Sequence, residues 1–351
     1  MPRGHKKPTI EKAQEWARND IDSWQKRDAR FHKEQDLLFL KKPYTPKAGE
    51  DLVVPSDLAF TTEKATRILA ALPERIRIAP RDPSAPERAQ KLENLAKSLY
   101  KTWAKQHRKG VRLPLRYEEA KFLIQRGWIA ARLTLSPDDE QRDPTVFQMF
   151  DPANVYPYEV GGEVVRVTHK YRATKTDILD DPNLKAREED FSALNTSNSG
   201  TSASVWIHSQ YVKYNGTWYH MVWTDAVGDP GVWLKEPTVI DYLPWVITIA
   251  VGTPFRATEW DEDSYIERTG ESFITNMVEM HKHTAKTMTM LSTIIATMAN
   301  PPTALFLKDG GRVTANEITM KAGARMVFPD ARLEQYRIGP GLGDLMTYYR
   351  M

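Results

Sequence analysis

Catalysis needs nucleophiles, bases or metal ligands of the right type at a fixed spacing, and this sequence supplies few. The densest set of candidate metal ligands is His281 and His283, on either side of Lys282, with Asp261, Glu262 and Asp263 upstream. On a helix, positions 281 and 283 point to different faces, so the two imidazoles cannot share an ion without breaking the helix. Gly161-Gly162 and Gly310-Gly311 lie between strand-like runs and match neither a phosphate loop nor a dinucleotide fingerprint. Asp138, Asp139 and Glu140 sit together in a turn, where a solvated acidic corner is the expectation. No Gly-x-Ser-x-Gly and no His-Glu-x-x-His occurs, and the absence of cysteine excludes disulfides, thiol catalysis and Cys-ligated zinc. Arg and Lys are spread along helical segments rather than bunched, which reads as solvated faces. The expectation is a protein that is not an enzyme, with no catalytic residues, no cofactor and no metal site.

Composition bounds the rest. Hydrophobic residues make up 41% of the 351 and aromatics 10%, enough for the core of two domains or one elaborate one. The net charge of +3 is nearly balanced, so no global basic field for nucleic acid is indicated. No apolar run approaches the ~20 residues of a membrane span. Met1 to Lys7 lead into no hydrophobic signal core, so a soluble protein made in the cytosol is expected.

The elements that must position any site follow from periodicity. Asp261 to Pro302 reads as one long helix: acidic residues suit its start, Asn300-Pro301-Pro302 stops it, and Gly270 is its one interruption. Ile274, Met277, His281, Thr284, Met288, Leu291, Ile295 and Met298 step by three and four, a narrow Met-rich seam. That seam suits either a core helix or one that packs beside copies of itself. Residues 9 to 40 read as helix, as do Thr61 to Leu72, Glu87 to Trp103 and Val111 to Gly127, the last ending in a left-handed glycine cap. Arg75 to Pro80, Trp128 to Leu135, Val146 to Phe150 and Val164 to Tyr171 read as strands, with a short polar helix near Lys175 to Leu179.

Ser192 to Ser204 is low in complexity and reads as a mobile loop. Val205 to Trp223 reads as two aromatic strands turning at Asn215-Gly216, a strong hairpin signal. Trp206, Trp218 and Trp223 in this hairpin are candidates for a subunit contact, against the alternative of a self-contained sheet core. Further strands are expected at Val232 to Leu234, Trp245 to Val251, Thr303 to Leu307 and Met326 to Phe328. A last helix begins at Leu345 to Met351, where the chain stops, and a truncated reading frame is the expectation.

The order of these signals resembles the portal proteins of tailed bacteriophages, the ring-forming head-to-tail connectors. The helix ending Phe31-His32-Lys33-Glu34-Gln35-Asp36 is similar to the opening of such chains. Val53-Val54-Pro55, a helix, and Leu72-Pro73-Glu74-Arg75-Ile76-Arg77-Ile78-Ala79-Pro80 resemble the next segment. Gly127-Trp128-Ile129-Ala130-Ala131-Arg132 and Phe150-Asp151-Pro152-Ala153-Asn154-Val155-Tyr156-Pro157 resemble the one after. Gly252-Thr253-Pro254-Phe255-Arg256, Gly270-Glu271-Ser272-Phe273, the long helix and Ala299-Asn300-Pro301-Pro302 resemble the segment that follows. Each piece is short, and only their shared order carries the likeness.

The resemblance implies an α+β portal-type fold. Residues 1–150 would form an N-terminal wing of helices and short strands, and 151–260 a β-rich wing or clip-like region holding the 192–204 loop. Residues 261–302 would be the stem or channel helix, and 303–351 returning wing strands. It implies a homo-oligomer, a dodecamer on the capsid, at a virion vertex, assembled in the host cytoplasm and without a membrane. Its partners would be the terminase large subunit, the major capsid and scaffolding proteins, head-completion and tail adaptor proteins, and the double-stranded DNA moved through the channel. Lys282 and Lys286 are then DNA-channel candidates. Ile274, Met277, Met288, Leu291, Ile295 and Met298 are candidates for helix packing or an oligomer seam. Two other readings stay open: a different virion structural or adaptor protein, and a metal-dependent nucleic-acid enzyme using Asp261 to Asp263.

Overall fold

The first helical pattern is interrupted where an aromatic side chain is needed elsewhere. The expected single helix over 9–40 is two, α1 (Ile10–Ser23) and α2 (Gln25–Leu38), with the break at Trp24. The Trp24 indole donates to Pro157 O at 2.9 Å and stacks on Trp128, so a distant packing site overrides local helix continuity. The computed structural model describes residues 7–47, 50, 52–72, 76–79, 86–108, 112–135, 145–181, 184, 204–225, 231–249, 270–299, 303–306, 325–328 and 333–335. The expected loop at 192–204 lies outside these apart from Ser204, as do Asp138 to Glu140, Asp261 to Asp263, Gly310-Gly311 and the helix start at Leu345.

The chain is α+β. α3 (Asp57–Ala71), α4 (Pro86–His107) and α5 (Leu115–Arg126) precede β1 (Trp128–Leu135) and β2 (Thr145–Phe150). β3 (Val155–Val160), β4 (Glu163–Thr174), α6 (Lys175–Asp180), β5 (Ser204–Tyr214), β6 (Thr217–Thr224), β7 (Val232–Ile240) and β8 (Trp245–Ile249) follow. α7 (Val278–Ala299), β9 (Thr303–Phe306), β10 (Arg325–Phe328) and β11 (Leu333–Gln335) complete the order. Among the described residues, no helix is long and apolar enough to cross a membrane.

The sequence did not signal β3, whose Pro157 and acidic Glu159 disfavour a strand in isolation. Conversely, Ile76 to Ala79, the described part of the strand expected over 75–80, alternate charge and apolarity but form no strand. The helix expected from Asp261 begins, in its described part, only at Val278. Gly270 is left-handed at φ 69°, and a 3-10 turn over Thr275–Met277 precedes α7.

The contacts divide the chain into one unit of residues 1–33 and 62–275 and another of residues 34–61 and 276–351. In the first, β3-β4-β5-β6-β7 form an antiparallel five-stranded meander and β2-β1-β8 a smaller antiparallel sheet. The β5–β6 hairpin turns at Asn215 and Gly216, with φ 51° and 79°, the left-handed pair a two-residue turn requires. Period-two alternation puts Val212, Tyr219, Met221 and Trp223 on one face, under Ala13 and Ala17 of α1. Ile207, Val222 and Leu234 lie with Ile178 of α6 in a second cluster. Val155, Val167 and Tyr211 pack with Ala130 and Trp245, which joins the two sheets. α6 starts at a capping box, Thr174 with Asp177.

The wholly buried Arg27 guanidinium lies within 4.5 to 5.5 Å of the ring centres of Trp24, Trp128, Tyr156 and Phe31. It donates to Asp28 Oδ1 at 2.7 and 2.9 Å and to Val155 O at 3.0 Å. Burial lowers its pKa, and Asp28 opposes that shift. Arg126 grips Asp151 bidentately, both bonds 3.0 Å, while Asp151 also caps the 3-10 turn Pro152–Asn154 through Ala153 N. The Phe150-to-Pro157 run is thus a cap, a turn and a strand start pinned by one arginine. The second unit contains α7 and the sheet β10-β9-β11, parallel between β9 and β10 and antiparallel between β9 and β11.

Candidate functional site

α7 carries most of the residues the sequence singles out. Its buried stripe is Val278, His281, Ala285, Thr289 and Thr297. This stripe is offset from the sequence seam and shares only His281 with it. The reason is backbone proximity: Val53 N donates to Thr289 Oγ1 at 3.0 Å, an approach that small side chains permit and methionines would block. Met277, Met288 and Leu291 are half-buried. Ile295 and Met298 are 49% and 46% exposed, and Met280 and Met290 reach 60% and 58%. Within the single subunit Ile295 and Met298 are therefore open to solvent. Ile274 is fully buried but precedes the helix and belongs to the first unit.

Four of the five threonines of α7 spend their hydroxyl proton on the helix itself. Thr284, Thr287, Thr293 and Thr297 each donate to the carbonyl four residues back, at 2.7 to 3.0 Å. Lys282 is tied to Glu279 at 2.8 Å, whereas Lys286 is exposed beside the Tyr44 ring at 5.8 Å. His281 is buried and His283 exposed, as their spacing requires. Neither ring nitrogen of His281 has a hydrogen-bond partner, and the Asp57 carboxylate is 4.0 Å away.

The three tryptophans divide. Trp206 is 37% exposed, with Lys170 and Arg172 at 4.7 and 4.5 Å from its ring centre. Trp218 is half-buried. Trp223 is buried, stacks on His208 at 4.1 Å and donates to Gln210 Oε1 at 3.0 Å. A side chain already covered by its own sheet has nothing left to bury, so Trp223 is withdrawn as a subunit contact.

Interior polar groups connect α1 to the large sheet. Asp20, 1% exposed, accepts from Arg166 Nε at 2.8 Å, Arg166 Nη2 at 2.5 Å and Thr168 Oγ1 at 2.8 Å. Gln210 donates to Thr168 Oγ1 at 3.2 Å and so extends the chain of bonds to Trp223. Burial raises the Asp20 pKa, with Arg166 and Thr168 pulling against it. Beside this network is a cavity of about 180 Å³ lined by Lys170, His208, Trp223 and Asp225 from the sheet side and by α1. Burial holds His208 neutral, its pKa pushed down to about 4. Asp225 stands 3.9 Å from Nε2, beyond hydrogen-bond distance, so neither group orients the other.

A larger cleft, about 480 Å³, opens between α3, α4 and the start of α5. Arg67, Lys101, Arg108 and Arg116 line it together with Tyr100 and Tyr117. Tyr117 Oη donates to Glu63 at 2.7 Å, Arg67 Nε donates to the same carboxylate at 2.8 Å, and Tyr100 Oη donates to Glu119 at 2.8 Å. Behind it, His107 pairs with Glu118, and Trp103 stacks on Phe147 and donates to Thr145 Oγ1 at 3.1 Å. In sequence these cations read as separate solvated faces. Their shared side becomes visible only once α3 and α4 are set beside α5. No family model matches the chain, and a search of curated proteins gives no match either.

Proposed function

We propose that this chain is a portal-type subunit that forms a ring at a capsid vertex of a tailed bacteriophage. Such a ring would pass double-stranded DNA during packaging and ejection and hold the packaging motor and tail adaptors. The observation that carries this reading is the uncovered side of α7. Met280, Met290, Ile295 and Met298 are each about half exposed or more, on a helix whose buried stripe is small or polar. Apolar surface of this kind on a regular helix gains free energy when covered by protein, at ~25 cal/mol per Å². Copies of the same helix around an axis cover it repeatedly.

Four of the five threonine hydroxyls are bonded back into the helix, which leaves α7 few groups to grip phosphate, and Lys282 is already paired with Glu279. That suits a wall past which DNA must slide, since many phosphate contacts would hold it still. Lys286 is the exposed cation of the pair and the stronger DNA-channel candidate. Terminase, capsid, scaffolding and adaptor proteins are the partners this reading brings with it.

Light scattering with negative-stain imaging tests it. A ring of many copies with a central channel is expected. A sample that stays monomeric or dimeric at all concentrations tested overturns the reading.

A further inference from the structure

The cleft of the first unit has a chemistry that the ring reading does not use. Arg67, Ala70 and Ala71 lie three and four apart on α3. Lys101 and Ala104 lie three apart on α4, with Arg108 just past its end, so each helix shows the cleft a cation beside a methyl group. Leu115, Arg116 and Tyr117 close it from the start of α5. Four cationic residues therefore line one opening. Glu63 offsets only Arg67, and among the described residues no carboxylate forms an ion pair with Lys101, Arg108 or Arg116. The tyrosine hydroxyls are already bonded to Glu63 and Glu119, which fixes both rings as walls.

Apolar side chains share the lining: Ala70, Ala71, Ala104 and the wholly buried Leu115 belong to it. Next to the lining residues in sequence, Ile68, Leu72 and Leu113 are 57%, 52% and 42% exposed. A bare phosphate or a nucleic-acid backbone would satisfy the cations but leave this apolar surface wet. A peptide that carries carboxylates beside a large apolar side chain satisfies both halves at once.

We infer that this cleft is a docking site for an acidic segment of a partner protein. Its carboxylates meet Lys101, Arg108 and Arg116, and one apolar side chain rests on Ala71, Ala104 and Leu115. This holds whether or not the chain forms rings.

The test uses the full chain and a fluorescein-labelled peptide of alternating Asp/Glu and Leu/Phe, read by anisotropy. Comparison probes are the same peptide with Asn/Gln for the acids, the same with Ser for Leu/Phe, and a single-stranded oligonucleotide. Saturable binding of the acidic apolar peptide is expected, weakened by salt and by either peptide change. Lys101→Glu with Arg108→Glu, both on exposed residues, should cut affinity roughly tenfold or more with circular dichroism unchanged. Ala104→Trp, which adds bulk to the lining, should do the same at unchanged charge. The inference is overturned if the acidic peptide does not saturate, if the charge-reversed variant binds it equally well, or if the oligonucleotide binds more tightly and is lost in that variant.

Discussion

Gly127 and Gly270 pass so close that a Cβ on either has no room. One built on Gly127 would overlap Glu271 O and sit 2.7 Å from Gly270 C, and one on Gly270 would sit 2.8 Å from Trp128 Cδ1. Both are left-handed, at φ 73° and 69°. Phe273 N donates to Ile124 O at 3.0 Å and Arg30 Nη2 to Gly270 O at 3.0 Å, so the approach is held by hydrogen bonds from both sides. Two short motifs, Gly127-Trp128 and Gly270-Glu271-Ser272-Phe273, are thus the two sides of one contact.

Substituting either glycine should therefore be costly. Gly127→Ala combines a left-handed alanine with a backbone overlap and is expected to destabilise by roughly 2–5 kcal/mol. Gly161→Ala, also left-handed but with nothing within 4 Å, should cost only roughly 1–2 kcal/mol. Urea denaturation of the two variants checks this, and equal losses would remove the argument from close approach.

The Asp20–Arg166 pair should behave as a buried ion pair. Asp20→Asn leaves the guanidinium without a countercharge and is expected to cost roughly 3–5 kcal/mol. Asp20→Leu with Arg166→Met removes both charges and should recover most of that loss. A double variant no better than Asp20→Asn, by thermal or chemical denaturation, would show that the hydrogen bonds to Thr168 dominate instead.

Stability should fall on mild acidification. Burial pushes His208 down to about 4 and both His169 and His220 to about 3, with nearby Arg132, Lys235 and Lys170 adding to the shifts and Asp225 opposing that of His208. The unfolded chain takes up these protons near pH 6.5, where the folded protein refuses them. The contribution is thus fully present above about pH 6.5 and is lost as pH falls toward 4, by up to about 1.4 kcal/mol per pH unit per histidine. Asp20, whose pKa is raised, titrates in the opposite sense at the acid end. The melting temperature should drop between pH 7 and 4.5, and less so in His169→Phe and His220→Phe. A pH-independent melting temperature over that range would contradict the burial argument.

The exposed side of α7 separates folding from assembly. Ile295→Asp and Met298→Asp change exposed residues, so each should alter the stability of the single subunit by no more than about 0.5 kcal/mol. Both should abolish a higher oligomer, measured by native mass spectrometry. Retained assembly in both variants would move the contact elsewhere on the subunit.

Much of the local structure was legible in the sequence because its causes are local. The Asn215-Gly216 hairpin, the Gly127 cap and the strand over Trp128 to Leu135 follow from turn chemistry and period-two patterning, and each has its expected place. α7 was legible as a helix but not in its rotation: its seam of large apolar residues pointed to one face, while close packing on Val53 selected the small residues Ala285 and Thr289. For Trp223 the sequence left a subunit contact and a sheet core both open, and tertiary packing made it core, its indole meeting His208 and Gln210 across the sheet. The cleft depended most on tertiary structure. Arg67, Lys101 and Arg116 come from three helices and Arg108 from the end of the second, and each, alone, reads as a solvated charge. Sequence periodicity assigns a side chain to a face of its own element, whereas the packing of helix against helix decides which faces meet and which are left open.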